Sequence, residues 1–164
     1  MSITIPNHQL EFLLESMSPN IVFNTRIGLG SVVNYWKWVS HSFSDFEMEL
    51  KSLEKDVEGC LAAQTTVNLT ITKSTIQKLF PQLWRGENLN ASGAPTSSVV
   101  RSLLGKPIVM HNWIRFEWDP TYHQITSITS TSDLLMPIIK LLGDLDSVSF
   151  LFDKAFVSPD FDGR

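Results

Sequence analysis

Apolar and polar residues alternate with period two over three long stretches of the chain, and this pattern predicts strands. Within 60–72, Leu61, Ala63, Thr65, Val67, Leu69 and Ile71 share one side, and Ala62, Gln64, Thr66, Asn68, Thr70 and Thr72 share the other. The threonine content favours strand over helix there. Within 107–119, Ile108, Met110, Asn112, Ile114, Phe116 and Trp118 lie opposite Val109, His111, Trp113, Arg115 and Glu117. Asp119-Pro120 opens a turn into the third stretch, 124–132, so the last two should form a hairpin. A shorter alternation near 46–53 sets Phe46, Met48 and Leu50 against Glu47, Glu49 and Lys51, as in a half-buried strand.

Helical spacing fills the rest. Asn7 can cap a helix carrying Leu10, Leu13, Leu14 and Met17, which Ser18-Pro19-Asn20 would end. Ile21-Val22-Phe23 is a short apolar piece, strand or loop. Gly28 and Gly30 lead into a helix to about Phe43, with Val32, Trp36, Val39 and Phe43 on one stripe and Tyr35 and Trp38 beside it. Thr72-Lys73-Ser74 opens a helix with Ile76, Leu79 and Phe80. Val100, Leu103 and Leu104 make a helical turn closed by Gly105. Ser132-Asp133 caps a helix broken at Gly143-Asp144, and Val148, Leu151, Phe152 and Ala155 mark the last one.

These elements predict an α+β fold: a curved antiparallel sheet forming a cone, wrapped by N-terminal and C-terminal helices. One domain over 1–164 is expected, its core about 7–157. The Asn-, Ser- and Gly-rich stretch 87–98 reads as a mobile loop, and 158–164 as a frayed tail.

Composition narrows the partners. With 164 residues and 43% hydrophobic content, the chain can bury a sizeable core. A net charge of -4 without a Lys/Arg cluster argues against direct contact with nucleic acid. The single Cys60 excludes an internal disulfide and fits a reducing compartment. No apolar run approaches the ~20 residues of a membrane span, and 1–6 lack the regions of a signal peptide. A nuclear or cytoplasmic location is expected.

Catalytic motifs are absent from the pattern. Gly28-Leu29-Gly30 lacks the third glycine of a dinucleotide fingerprint, and no phosphate loop, HExxH or CxxC occurs. Asp144, Asp146 and Asp153 lack the central Gly and closing Glu of a calcium loop. No metal or cofactor is expected. On the face with Met110 and Ile114, Asn112 is the polar residue, and on that with Val67 and Leu69 it is Thr65; neither is an efficient base at neutral pH. Asp133 and His111 could form a dyad, but Asp133 is better explained as a helix cap. Asn112 is either a satisfied core amide or the polar anchor of an apolar pocket with Tyr35, Trp38 and Trp118, suited to a small apolar ligand. On the opposite face, Trp113 between His111 and Arg115, near Thr66 and Asn68, reads as the anchor of an interface, and a homodimer through it is expected.

Helices followed by a curved sheet ending in a long hairpin resemble the nuclear transport factor two-like superfamily, which includes SnoaL-like polyketide cyclases, limonene epoxide hydrolase, ketosteroid isomerase and scytalone dehydratase. A finer likeness lies in ordered strings: Gly30 through Trp36 and Trp38, Leu79-Phe80-Pro81-Gln82-Leu83, Leu103-Leu104-Gly105-Lys106-Pro107, Ile114-Arg115-Phe116, and Leu141 through Val148. These resemble the domain that follows the zipper in oomycete basic-leucine-zipper transcription factors, over most of 28–157. The chain shows neither a basic region nor a zipper, so DNA contact passes to no residue here. The resemblance implies a non-enzymatic dimerisation and ligand-sensing module of transcription-factor type. The alternatives are a small cone-fold enzyme (cyclase, isomerase or hydrolase) and a pure interaction scaffold.

Overall fold

Strands β1 (Met17–Phe23), β2 (Arg26–Ile27), β3 (Glu47–Lys55), β4 (Leu61–Thr70), β5 (Pro107–Asp119) and β6 (Gln124–Ser132) form one sheet in the order β2-β1-β6-β5-β4-β3. The computed structural model describes residues 15–56, 58–84 and 98–163. The expected Asn7-capped helix, up to Leu14, and almost all of the 87–98 loop lie outside those residues. Helices α1 (Leu29–Ser42), α2 (Lys73–Leu79), α3 (Ser98–Leu103), α4 (Leu135–Leu142) and α5 (Leu145–Asp153), with a 3-10 turn at Pro81–Trp84, complete the α+β architecture. No helix among the described residues is long and apolar enough to cross a membrane.

The chain divides into two compact units. The first holds the described residues through His41, Met48–Thr66 and His111–Thr131. Its core is built from Met17, Ile21 and Phe23 of β1, Val32 of α1 and Ile128 of β6, with Tyr35, Trp36, Ile114 and Phe116 packed against them. Met17 was expected on a helix and instead begins β1. Pro19 explains the change, because it biases Ser18 to extended backbone and offers no N–H to a helix or a ladder. The β1–β6 ladder accordingly shifts register between Met17 and Val22. That pairing is parallel, and β1 is a strand beyond the four stretches from which the antiparallel sheet was expected.

Two residues of left-handed backbone set the entry to α1. Gly28 has φ +98, which side chains rarely adopt, and its N–H reaches Ile21 O at 2.8 Å. Asn24, at φ 54, donates its backbone N–H to Ile128 O at 2.9 Å and accepts Ser130 N–H on Oδ1 at 2.8 Å. Asparagine adopts that conformation more readily than most residues, and these two bonds to β6 hold it there. β3 is a strand, as its period predicts, but its side chains are mostly exposed rather than half-buried. It ends the strand order, so no further strand covers it.

The second unit comprises Ser42–Glu47, Val67–Met110 and the described residues from Ser132. Thr72 caps α2 by accepting Thr75 N–H at 3.1 Å, and Thr75 Oγ1 donates to Ser42 O at 2.9 Å. Phe80 meets Phe152 edge-on with centroids 6.1 Å apart. Asp133 accepts Met136 N–H at 3.1 Å, the capping role expected of it. Gly143 ends α4 at φ +81. The tail expected to fray is folded instead. Phe161 is 2% exposed and packs on Phe43, with centroids at 5.5 Å. Val157 bridges Gly163 in the same segment.

Asp144 caps α5, accepting Ser147 N–H at 2.7 Å and Ser147 Oγ–H at 2.8 Å. The backbone bond first and the hydroxyl second hold its carboxyl below the ordinary value of 3.8. A depressed folded pKa contributes stability above the unfolded value, and that contribution fades as pH falls through the folded one. Asp144→Asn should therefore flatten part of the stability loss below pH 3.8. Urea midpoints measured across that range check it, and an unchanged acid limb would remove the cap from the account.

Candidate functional site

The sheet presents two chemically different faces in the first unit. On β4 the alternation buries Ala63 and Thr65, and on β5 it buries Asn112. Asn112 is 4% exposed and accepts Ser130 Oγ–H on Oδ1 at 3.1 Å. The bond crosses the β5–β6 hairpin, whose short connection makes the two strands antiparallel. Thr65 is 5% exposed, and its Oγ1 has no hydrogen-bond partner among the described residues. A buried hydroxyl left unpaired costs about 1–3 kcal/mol. The buried polar side chains among the described residues are Ser42, Thr65, Thr75, Asn112 and Ser132, and none of them ionises near neutral pH.

The proposed pocket aromatics are only partly drawn together. Tyr35 sits 5.1 Å from Phe23 and 5.9 Å from Trp38 by ring centroids, within the core of the first unit. Trp118 is 49% exposed and lies 6.3 Å from His123, at the turn end of the hairpin. The β5 alternation continues past Asn112, but Ile114 and Phe116 are half-buried and Trp118 is open. Asn112→Leu should strand the Ser130 hydroxyl and lower stability by about 1–3 kcal/mol. Chemical unfolding checks this, and a neutral result would show the amide to be dispensable to the fold.

The opposite face is exposed and grooved. A groove of about 220 Å³ is lined by Ser52 and Glu54 of β3, Ala62 and Gln64 of β4, Trp113 and Arg115 of β5, and Thr129 and Thr131 of β6, among others. Trp113 is 48% exposed, with His111 6.3 Å away. Thr66 shares the face of Gln64 by strand period, and Asn68 follows two residues further along the same strand in the second unit. Arg115 has a bond that sequence reading missed. Its Nη2 meets Glu58 Oε2 at 2.6 Å and Asp56 Oδ2 at 3.3 Å. Asp56 Oδ1 in turn accepts Glu58 N–H at 2.9 Å and Cys60 N–H at 3.0 Å, so the β3–β4 turn is clasped to β5. The Glu58 hydrogen bond is the leading cause that raises the Arg115 pKa above its ordinary value. An Asp-x-Glu turn between two predicted strands was the available signal, but nothing local named its cation.

No protein-family profile matches the chain, and no curated protein matches it. Solved structures do. A SnoaL-like polyketide cyclase from Agrobacterium tumefaciens matches at 18% identity, over 84% of this chain and 88% of its own, with a TM-score of 0.55. AclR of Streptomyces galilaeus, described as a proposed hydroxylase, matches at 18% identity over 83% and 75%, with a TM-score of 0.52. IdmH of Streptomyces antibioticus, described as a proposed polyketide cyclase, matches at 14% identity over 84% and 89%, with a TM-score of 0.52. The expected non-enzymatic dimerisation and ligand-sensing module of transcription-factor type is corrected by these likenesses. They favour the small-enzyme alternative, and they give nothing for the finer resemblance to leucine-zipper factors. The six-stranded sheet with its flanking helices is an α+β fold, and it is similar to the fold of these SnoaL-like polyketide cyclases.

Proposed function

We propose that the chain is a small enzyme of this fold that closes a ring in, or isomerises, a small and mostly apolar carbonyl compound held against the buried sheet face. The observation that carries the reading is the unpartnered Thr65 hydroxyl, 5% exposed on the buried side of β4. Buried polar groups are nearly always matched, so an unmatched one calls for an explanation, and a bound substrate oxygen supplies it here. The fold it shares with polyketide cyclases and a proposed hydroxylase supports the same reading.

The chemistry follows from what this face offers. With no carboxylate, imidazole or amine buried among the described residues, proton abstraction by a buried base is not its tool. Orientation and hydrogen bonding to a developing oxyanion remain, and both supply large accelerations. An enolised diketone carries its own proton. Its enol carbon attacks the second carbonyl carbon, the new carbon–carbon bond forms, and the enol proton ends on the new alkoxide oxygen. Thr65 O–H is the donor placed to stabilise that oxygen. Asn112, bonded to Ser130, is the buried polar side chain of β5.

A binding experiment tests the location before any turnover is measured. The probe is a methyl-substituted hydroxycyclohexanone, the product class of such a closure, titrated into isotope-labelled protein and read by nuclear magnetic resonance. Amide signals of Thr65 and Ser130 should shift together, and the Trp113 indole signal should not. Shifts confined to Trp113, or no saturable shift, would reject the buried face as the site.

A further inference from the structure

The groove on the exposed face of the first unit belongs to no step of that chemistry. In the strand order β4 lies between β5 and β3, so Ala62 sets a single methyl between the longer side chains of Trp113 and Glu54. That step in side-chain length makes the dip. Its volume is about 220 Å³, and an apolar cavity of ~150 Å³ already takes a benzene ring. Trp113 is 48% exposed and offers an open aromatic surface along one side.

Charge decides which small molecule this groove prefers. Arg115 is the cation among its described lining residues, and it is already matched, with Nη2 at 2.6 Å from Glu58 and 3.3 Å from Asp56. Glu54 lines the same groove and has no ion pair or hydrogen bond among the described residues. One guanidinium is therefore set against three carboxylates, and the surplus is negative. An anion would meet Glu54 and compete with Glu58 for Arg115. A neutral ring would desolvate Glu54 and give it no partner in return.

We propose that this groove binds a quaternary, methylated ammonium ion, with the cation over the Trp113 indole and against the Glu54 carboxylate. Such an ion spreads its charge over methyl groups and has no N–H to satisfy. It can lie on the indole and the Ala62 methyl without stranding a donor, while Glu54 balances its charge.

Titration of the isotope-labelled full chain with choline chloride, against sodium chloride at equal ionic strength, tests the assignment by nuclear magnetic resonance. The Trp113 indole signal should shift saturably, and the Thr65 amide should not. The neutral neohexyl alcohol, in which carbon replaces the choline nitrogen, should bind at least about tenfold more weakly. Trp113→Ala, read on the Gln64 side-chain amide, should weaken choline binding by about 2–30-fold. Glu54→Gln should weaken it by about two- to fivefold. Ala62→Leu should abolish it by filling the dip, which keeps the test open if Trp113→Ala does not fold, as thermal unfolding of each variant will show. No diketone enters these titrations, so their outcome is independent of the enzymatic reading. The proposal is overturned by the absence of a saturable shift, by a shift that sodium chloride reproduces, or by a neutral alcohol that binds as tightly as choline. Binding that survives both Glu54→Gln and Ala62→Leu overturns it as well, since the cation would then lie elsewhere.

Discussion

Replacing Phe161 with alanine is expected to lower unfolding free energy by about 3–5 kcal/mol, the range for deleting a buried aromatic ring. The ring is 2% exposed, 5.5 Å from the Phe43 centroid, and stacked 6.4 Å from Phe46 at 13°. Little else can refill the space, because the residues around Phe161 in sequence are Pro159, Asp160, Asp162 and Gly163. The backbone that presents it is closed by Ser158, whose N–H donates to Asp162 O at 2.8 Å and whose Oγ accepts Asp162 N–H at 3.0 Å. Ser158 Oγ–H also bonds the Asp160 carboxylate. Leu134 N–H donates to Pro159 O at 3.0 Å, which ties the tail to the start of α4. Urea unfolding should show a lower midpoint with an unchanged slope. A change below about 1 kcal/mol would mean that the ring is not packed as described, since surface substitutions stay in that range.

Thr65→Val should separate stability from activity. Valine keeps the shape of threonine and removes the hydroxyl that has no partner. The unliganded protein should therefore be as stable as the parent or more so, because an unpaired buried hydroxyl costs about 1–3 kcal/mol. Turnover should fall by about 10²–10³-fold, the usual loss of one oxyanion donor. Thr65→Ser, which keeps the hydroxyl, should restore most of the rate. Thermal unfolding and initial rates on the same preparations check both halves. A less stable valine variant would show that Thr65 already has a partner, and an unchanged rate would remove it from the chemistry.

How much of this could be read from residue order differs by element. The two faces of β4 and β5 were legible because burial follows their period-two pattern residue by residue from Ala63 to Leu69 and from Ile108 to Asn112. The pattern gave the strand at β3 but not its exposure, since period reports which side is apolar and not whether anything covers it. β1 was obscured by Pro19, which ends a helical reading without announcing a strand that tolerates it at a register shift. The anchored tail was missed because one buried phenylalanine among Pro, Asp and Gly has no periodicity to detect.

The candidate site was only half legible. Asn112 stood out as an amide on an apolar face, and hairpin geometry brings Ser130 to it. Thr65 stood out only as the polar residue on the face with Val67 and Leu69, because threonine is an ordinary strand residue and its unmatched hydroxyl is visible only in the structure. The Arg115 clasp joins residues 57 apart in sequence, and no local pattern signals such a pair. Trp118 followed the period on paper, but it lies where the hairpin leaves the packed part of the sheet.

The central claim is that the buried face converts a carbonyl compound rather than merely holding it. Its most direct test uses a linear diketone whose intramolecular aldol closure gives a hydroxycyclohexanone, followed by nuclear magnetic resonance against the uncatalysed reaction. The account predicts saturable closure by the parent, a loss of about 10²–10³-fold in Thr65→Val, and no loss of rate per chain in Trp113→Ala. Saturable binding with closure no faster than in buffer would contradict it.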